Sequence, residues 1–282
     1  MEWTAVTYEA SKGVALITLN RPHRSNAWTG RMAFEYRTAM QLAEHDEQVG
    51  VVVVTGAGRH FCVGADTRAL DRFADTGEYE SGVRDPLPEP GDPEHPAYGT
   101  VFGFPLAIAK PVIGAVNGAV AGVGFVLACF TDIRFGAASA KWTPSMSRLG
   151  LPAEHGIAWI LPRIIGYARA SEWLLSSRVV LSEEAQSMGL VHAVHPPDEV
   201  LPATLAYART LVDEAAPSSL RTIKRQLSLD LFRPLAESAH ESDRLVQEMI
   251  GSDEYRQGVK ALLEKRPPGF ATRYIDRTVS GG

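Results

Sequence analysis

Pro111-Val112-Ile113-Gly114-Ala115-Val116-Asn117-Gly118-Ala119-Val120-Ala121-Gly122-Val123-Gly124-Phe125-Val126-Leu127-Ala128-Cys129-Phe130 is a run of twenty residues without a charge, and the fold turns on whether it forms one element or three. Twenty apolar residues in a single helix would be long enough to span a bilayer. Gly114, Gly118, Gly122 and Gly124 argue against that helix, since each costs about 1 kcal/mol relative to alanine in a helix interior. The run divides better into a buried strand at Val112 to Val116, a glycine turn, and a buried helix from about Gly122 to Phe130. No membrane segment is expected, and the chain reads as cytoplasmic.

Working outward, upstream Val14 to Leu19 is a β-rich run closed by the turn signal Asn20-Arg21-Pro22. Met32, Tyr36, Ala39, Met40 and Ala43 then fall on one helical face. Val51-Val52-Val53-Val54-Thr55 is apolar throughout, as a strand covered on both faces should be. Between Phe73 and Gly103, Asp, Glu, Gly and Pro dominate, so this segment reads as a long surface excursion, either a lid or a spacer. Tyr98 and His95 could enter a pocket from such a lid.

Downstream, a strand is expected at Asp132 to Gly136 and a helix through Ala168 to Leu175. A helix start is expected near Pro152, and another helix opens at Ser182-Glu183-Glu184 and ends at Gly189. Val191 to Val194 reads as a last short strand. Beyond Asp198 the pattern is helical only, over 198–214, 218–230, 235–250 and 253–265. Strands alternating with helices, then helices alone, predict an α/β body over residues 1–197 and a helical C-terminal region over 198–282. Those last helices could hardly bury their faces unaided, so they should pack on the body or on another subunit.

The chain has 282 residues, 45% hydrophobic and 22% charged, with a net charge of -5. That length allows a sizeable core without metal or disulfide, and the acidic balance argues against a nucleic-acid partner. Cys62 and Cys129 both sit in apolar runs and suggest buried free thiols in a reducing compartment, with no metal site. The N-terminal residues show neither the basic leader nor the apolar core of a signal peptide.

Two phrases carry chemistry: Arg59-His60-Phe61-Cys62-Val63-Gly64-Ala65-Asp66-Thr67-Arg68 and Ala115-Val116-Asn117-Gly118-Ala119-Val120-Ala121-Gly122-Val123-Gly124. Together they resemble the two signature segments of the enoyl-CoA hydratase/isomerase (crotonase) superfamily. Further pieces agree in order: Leu19-Asn20-Arg21-Pro22 with Asn26-Ala27, Lys110-Pro111, Asp132-Ile133, Leu161-Pro162-Arg163, Leu190-Val191, and Glu264-Lys265-Arg266 before Phe270. The resemblance implies a crotonase-like ββα superhelix with an all-helical C-terminal extension. It also implies an acyl-CoA substrate, whose coenzyme A is part of the substrate and not a separate cofactor, and assembly into a homotrimer or hexamer.

The resemblance implies residue roles as well. The N–H groups of Ala65 and Val123 would hold the thioester oxygen as it becomes an enolate, the second at the start of a helix whose dipole favours an anion. The same glycines could instead serve only tight packing. Val123 stands where the family usually has glycine, which narrows the pocket. Arg24, Ala27, Gly64, Arg68, Lys265 and Phe270 match positions that contact coenzyme A, the last two sometimes across a subunit boundary; Arg24 and Arg68 could equally be solvated surface cations.

The usual hydratase pair of glutamates falls on Val126 and Met146, both apolar here. Glu154 is the remaining candidate: the resemblance places it where relatives that isomerise dienoyl thioesters or displace aryl halides carry an aspartate with a chemical role, and one carboxylate suffices to take a proton from one carbon and return it to another. Its alternative is an acid in the first turn of a helix. His155, His60, Asp66, Asp132, Trp142 and Trp159 read as structural. Isomerase-like proton transfer is therefore favoured over hydration, with a catalytically inactive acyl-CoA-binding protein as the competing reading. Gly56-Ala57-Gly58 lacks the third glycine of a dinucleotide fingerprint, because Phe61 stands in its place.

Overall fold

The computed structural model describes residues 2–77 and 87–270. Among these, six strands form one sheet in the order β1 (Val6–Ser11), β2 (Gly13–Leu19), β3 (Val49–Gly56), β4 (Val112–Val116), β6 (Ile133–Ala137) and β9 (Ala193–His195). Three short strands, β5 (Val120–Ala121), β7 (Lys141–Thr143) and β8 (Val180–Leu181), form a second sheet. β1 and β2 pair antiparallel, and every later neighbour in the large sheet pairs parallel. Parallel pairing demands crossovers, which here supply the cover that leaves the whole of Val49–Gly56 buried.

The helices are α1 (Gly30–His45), α2 (Thr67–Thr76), α3 (Val123–Cys129), α4 (Ile157–Ile165), α5 (Tyr167–Ser176), α6 (Ser182–Ser187), α7 (Val200–Glu214), α8 (Pro217–Asp230), α9 (Leu235–Met249) and α10 (Asp253–Glu264). The chain winds as a superhelix in which each turn gives a strand to the large sheet, a strand to the small one, and a helix. β4–β5–α3 is one turn and β6–β7–α4 the next. After β3 the small-sheet strand shrinks to a single bridge between Cys62 and Val120, followed by α2. The uncharged run of residues 111–130 is thus the strand β4, a turn, the short strand β5 and the helix α3.

α1 buries Met32, Tyr36, Ala39, Met40 and Ala43 as its periodicity requires, and with them two charged residues. Glu35 accepts from the N–H groups of Thr4, Ala5 and Val6, fixing the N-terminal segment to the helix. Arg37 donates to the carbonyls of Pro88 and Thr100 and lies over the Phe104 ring, 4.4 Å from its centroid.

The surface excursion therefore needs revision. α2 continues to Thr76, residues 78–86 lie outside the described part, and residues 87–103 are docked on the body. His95 turns to α8, with Nε2 3.1 Å from Ser228 Oγ and its ring edge-on to Phe232. Tyr98 lines a separate cavity with Arg37. Neither residue reaches over the candidate site.

The helical region begins with α7, which packs across β2, β3, β4, β6 and β9 of the body. Lys224 of α8 donates to the Lys110 carbonyl (2.7 Å) and pairs with Asp132 (2.8 Å), fastening the following helices to β4. α9 buries none of its residues, and Leu235, Leu262 and Leu263 are exposed. Among the described residues no helix is long and apolar enough to cross a membrane.

Candidate active site

A cavity of about 600 Å³ opens between residues 24–27, residues 63–67 with Leu70, the turn at Gly122-Val123, and the segment 144–154. It brings together Ala65, Val123 and Glu154, and also Arg24, Ala27 and Gly64.

Its first wall is backbone. Gly122 caps α3 at φ 52°, ψ −122°, a conformation open only to glycine. Gly124 lets α3 press on the neighbouring loop: a Cβ there would lie 2.2 Å from the Cys62 carbonyl oxygen. The two loops are laced together, Phe61 and Cys62 N–H donating to the Ala119 carbonyl at 3.2 and 3.3 Å, and Ala121 N–H to the Cys62 carbonyl at 3.0 Å.

Trp28 pairs with the same loop. Its N–H donates to Gly64 (2.8 Å), and its carbonyl accepts from Asp66 N–H (3.1 Å). That pairing uses the groups flanking Ala65 and leaves the Ala65 N–H on the opposite edge. Val123 is the first residue of α3, so its N–H has no acceptor within the helix. Among the described residues neither N–H donates to any group. Two unpaired amides thus belong to residues that line one cavity.

Polar side chains brace this wall. Arg21 pairs with Asp66 at 3.0 Å and donates to the Ala27 carbonyl. The second Asp66 oxygen accepts from Arg68 N–H (3.1 Å), capping α2. Burial works against charge on Asp66, but Arg21 and the Arg68 amide outweigh it and hold the carboxyl below the usual range. Buried Asn26 joins the Ala57 and His60 carbonyls through its Nδ2. Asp66 and Asp132 are structural, as expected from sequence; Asp132 accepts from Val112 N–H at 2.6 Å.

The opposite wall is held by side chains. Residues 146–149 form a 3-10 turn entered through Ser145 at φ 65°. Ser147 bonds to Ser177 (2.7 Å), and Arg148 Nε to the Ser176 carbonyl (3.3 Å). Glu154 lies in the loop ahead of α4, which starts at Ile157 and has no acid in its first turn. The expected helix start near Pro152 is displaced because His155 (φ 54°) and Gly156 (φ 80°) are left-handed.

The Glu154 carboxylate makes no hydrogen bond or ion pair among the described residues. Next to it, the His155 ring packs on Phe102, 4.8 Å between centroids. Burial lowers the His155 pKa, with Glu154 opposing, so the ring is neutral near pH 7. Met146 lines the cavity, whereas Val126 is sealed in the core. Neither position offers a carboxylate.

Three expected contacts do not assemble within the chain. Arg68 is exposed on α2 and does not line the cavity. Lys265 closes α10 in a left-handed conformation. Phe270 lines a different cleft of about 350 Å³, with Tyr255 and Leu262. Conversely, Arg148, Leu70, Leu149 and Leu151 line the cavity without any motif to announce them. Among the described residues no group of three or more His, Cys, Asp or Glu is placed to hold a metal ion.

Residues 9–273 match the family model described as "Enoyl-CoA hydratase/isomerase". A protein of Rhodobacter capsulatus named "Probable enoyl-CoA hydratase" is 34% identical over 273 residues, covering 97% of this chain and 100% of the relative. The 1,2-epoxyphenylacetyl-CoA isomerase of Escherichia coli is 34% identical over 261 residues, covering 92% and 95%. Among solved structures, an enoyl-CoA hydratase from Bacillus anthracis superposes with a TM-score of 0.83 at 25% identity, covering 95% of this chain and 99% of that one.

Proposed function

Because the chain belongs to the enoyl-CoA hydratase/isomerase family, we propose that it is an isomerase-like member that moves a proton on an acyl-CoA thioester with Glu154 as its single acid/base. The observation that carries this reading is the inventory of carboxylates in the cavity. Two acids line it, Asp66 and Glu154. Asp66 is committed to Arg21 and the Arg68 amide, so Glu154 alone is free to exchange a proton.

The thioester carbonyl sits between the Ala65 and Val123 amides, with the acyl chain along Leu70, Met146, Leu149 and Leu151. Glu154 removes a proton from the α-carbon of a 3-enoyl thioester. The electrons move into the carbonyl oxygen, where two preorganised donors stabilise the developing charge, each worth about 3–4 kcal/mol. The same carboxylic acid returns the proton to the γ-carbon, leaving the 2-enoyl thioester. Hydration would need a second carboxylate to hold water, and Val126 and Met146 supply none. Arg24 at the rim suits a phosphate of coenzyme A.

The test follows a panel of 3-enoyl-CoA thioesters in deuterium oxide. Isomerisation is expected with the substrate's own α-hydrogen retained at the γ-carbon and little deuterium entering from solvent, falling by roughly 10²–10⁴-fold in Glu154→Gln while acyl-CoA still binds. Addition of water at a rate that Glu154→Gln leaves alone would overturn the assignment. Tight acyl-CoA binding without turnover in either protein would favour the inactive binder, which the missing glutamates make the second reading. The exposed leucines of α9 and α10 suit a homotrimer or hexamer, and light scattering at the mass of a monomer would count against that assembly.

A further inference from the structure

A further cavity, of about 430 Å³, shares no lining residue with the candidate active site. Its position follows from the sheet. β3, β4, β6 and β9 are parallel neighbours, and the cavity is lined by the residues after each: Arg59 and His60, Asn117, Ser139 and Lys141, and Asp198. In open parallel sheets the crevice outside the carboxyl ends of the strands is where ligands bind. The volume falls within the roughly 300–1,000 Å³ range of small-molecule sites.

The lining is chemically one-sided. Arg59 and Lys141 are exposed cations with no ion pair among the described residues, facing the single carboxylate of Asp198. The His60 ring lines the same cavity, with its Nδ1 enclosed and without a hydrogen-bond partner among the described residues. The N–H groups of Arg59 and Gly118 likewise donate to nothing among the described residues. None of these groups takes part in the chemistry proposed above.

The cavity is also the root of both amide loops. From Arg59 the chain runs to Ala65, and from Asn117 to Val123. Asn117 ties the two roots, accepting from Gly56 N–H (3.1 Å) and donating to the Gly58 carbonyl (2.9 Å). We propose that this cavity binds a small oxyanion, a phosphate or a carboxylate, through Arg59 and Lys141, and that occupancy alters turnover by shifting the loops that carry the Ala65 and Val123 amides. The binding site stands independently of the proposed function; the effect on turnover rests on it.

Calorimetric titration with inorganic phosphate, and separately with acetate, at constant ionic strength tests the site. Saturable binding of at least one of the two anions is expected, weakened tenfold or more in the double variant Arg59→Ala/Lys141→Ala and changed less than twofold in Arg24→Ala, which alters the other cavity. The ring nitrogen resonances of His60 should shift on binding. Absence of saturable binding, or binding lost in Arg24→Ala and kept in the double variant, overturns the site. Turnover is then compared at saturating anion and at matched chloride. A rate change in the wild type that the double variant lacks supports the coupling, and equal rates overturn it while the titration still reports the site.

Discussion

The two walls of the larger cavity are built by opposite means. The amide wall, residues 61–66 and 118–124, is fixed by backbone hydrogen bonds and by glycines whose place no other residue can take. The wall carrying Glu154 is fixed by side chains that meet from distant segments: Ser147 with Ser177, Arg148 with the Ser176 carbonyl, His155 with Phe102. A donor that must aim at one point gains from a rigid backbone. In the function proposed above the proton carrier must reach two carbons, and a carboxylate without a hydrogen-bond partner among the described residues allows that.

The sharpest way to break the contrast is Gly124→Ala. Its methyl group cannot coexist with the Cys62 carbonyl 2.2 Å away, so one amide should leave its line. Turnover should fall by roughly 10²–10³-fold, measured as kcat on the isomerisation substrate; an unchanged kcat would show that this wall is not the oxyanion site. Phe102→Ala attacks the other wall. It frees His155 and, with it, Glu154, and is expected to lower kcat by roughly 10–100-fold with KM within about twofold, because substrate still meets an intact amide wall.

Arg21→Met tests the brace behind the amides. Both partners of the Arg21–Asp66 pair are mostly buried, 18% and 12% exposed, and loss of one should cost about 1–3 kcal/mol of stability near neutrality. The pH dependence has a definite sign. The folded-state pKa of Asp66 is lowered, so its stabilisation is complete above the unfolded value of about 3.9 and disappears as pH falls through the folded one. Urea titrations of wild type and variant should therefore differ at pH 6 and converge in acid. The smallest effect belongs to the rim: Arg24→Ala should raise KM by less than about fivefold and leave kcat alone, as expected of an exposed charge pair worth under about 1 kcal/mol.

How far each wall could be read from sequence follows from the same contrast. Gly122, Gly124 and the valine run of β3 act through their own backbone or burial, so their local pattern announced the strand and the glycine turn, while the amide roles expected there came from the resemblance to the family. Met32, Tyr36 and Met40 likewise marked α1 through their spacing. Phe102 and His155 are 53 residues apart, and nothing in either neighbourhood encodes their contact. His155 holds a left-handed conformation unusual outside glycine, which is why α4 begins later than its acids and proline suggested. β1 escaped notice because its alternating, half-exposed pattern is weak at a sheet edge, and β5, β7 and β8 are only two or three residues each. Arg148 gives no signal, since an arginine beside a short turn looks the same whether it borders a cavity or open water.

Cys62 lies where the amide loop meets Gly124, fully buried, and burial pushes its thiol up to about 12. With a thiolate fraction that small at neutral pH, an alkylating reagent can react only when the loop lifts away from α3. The sulfur is therefore a built-in clock: its rate of modification would count the openings of the loop that carries Ala65, and an acyl-CoA clasped by that loop should slow the count.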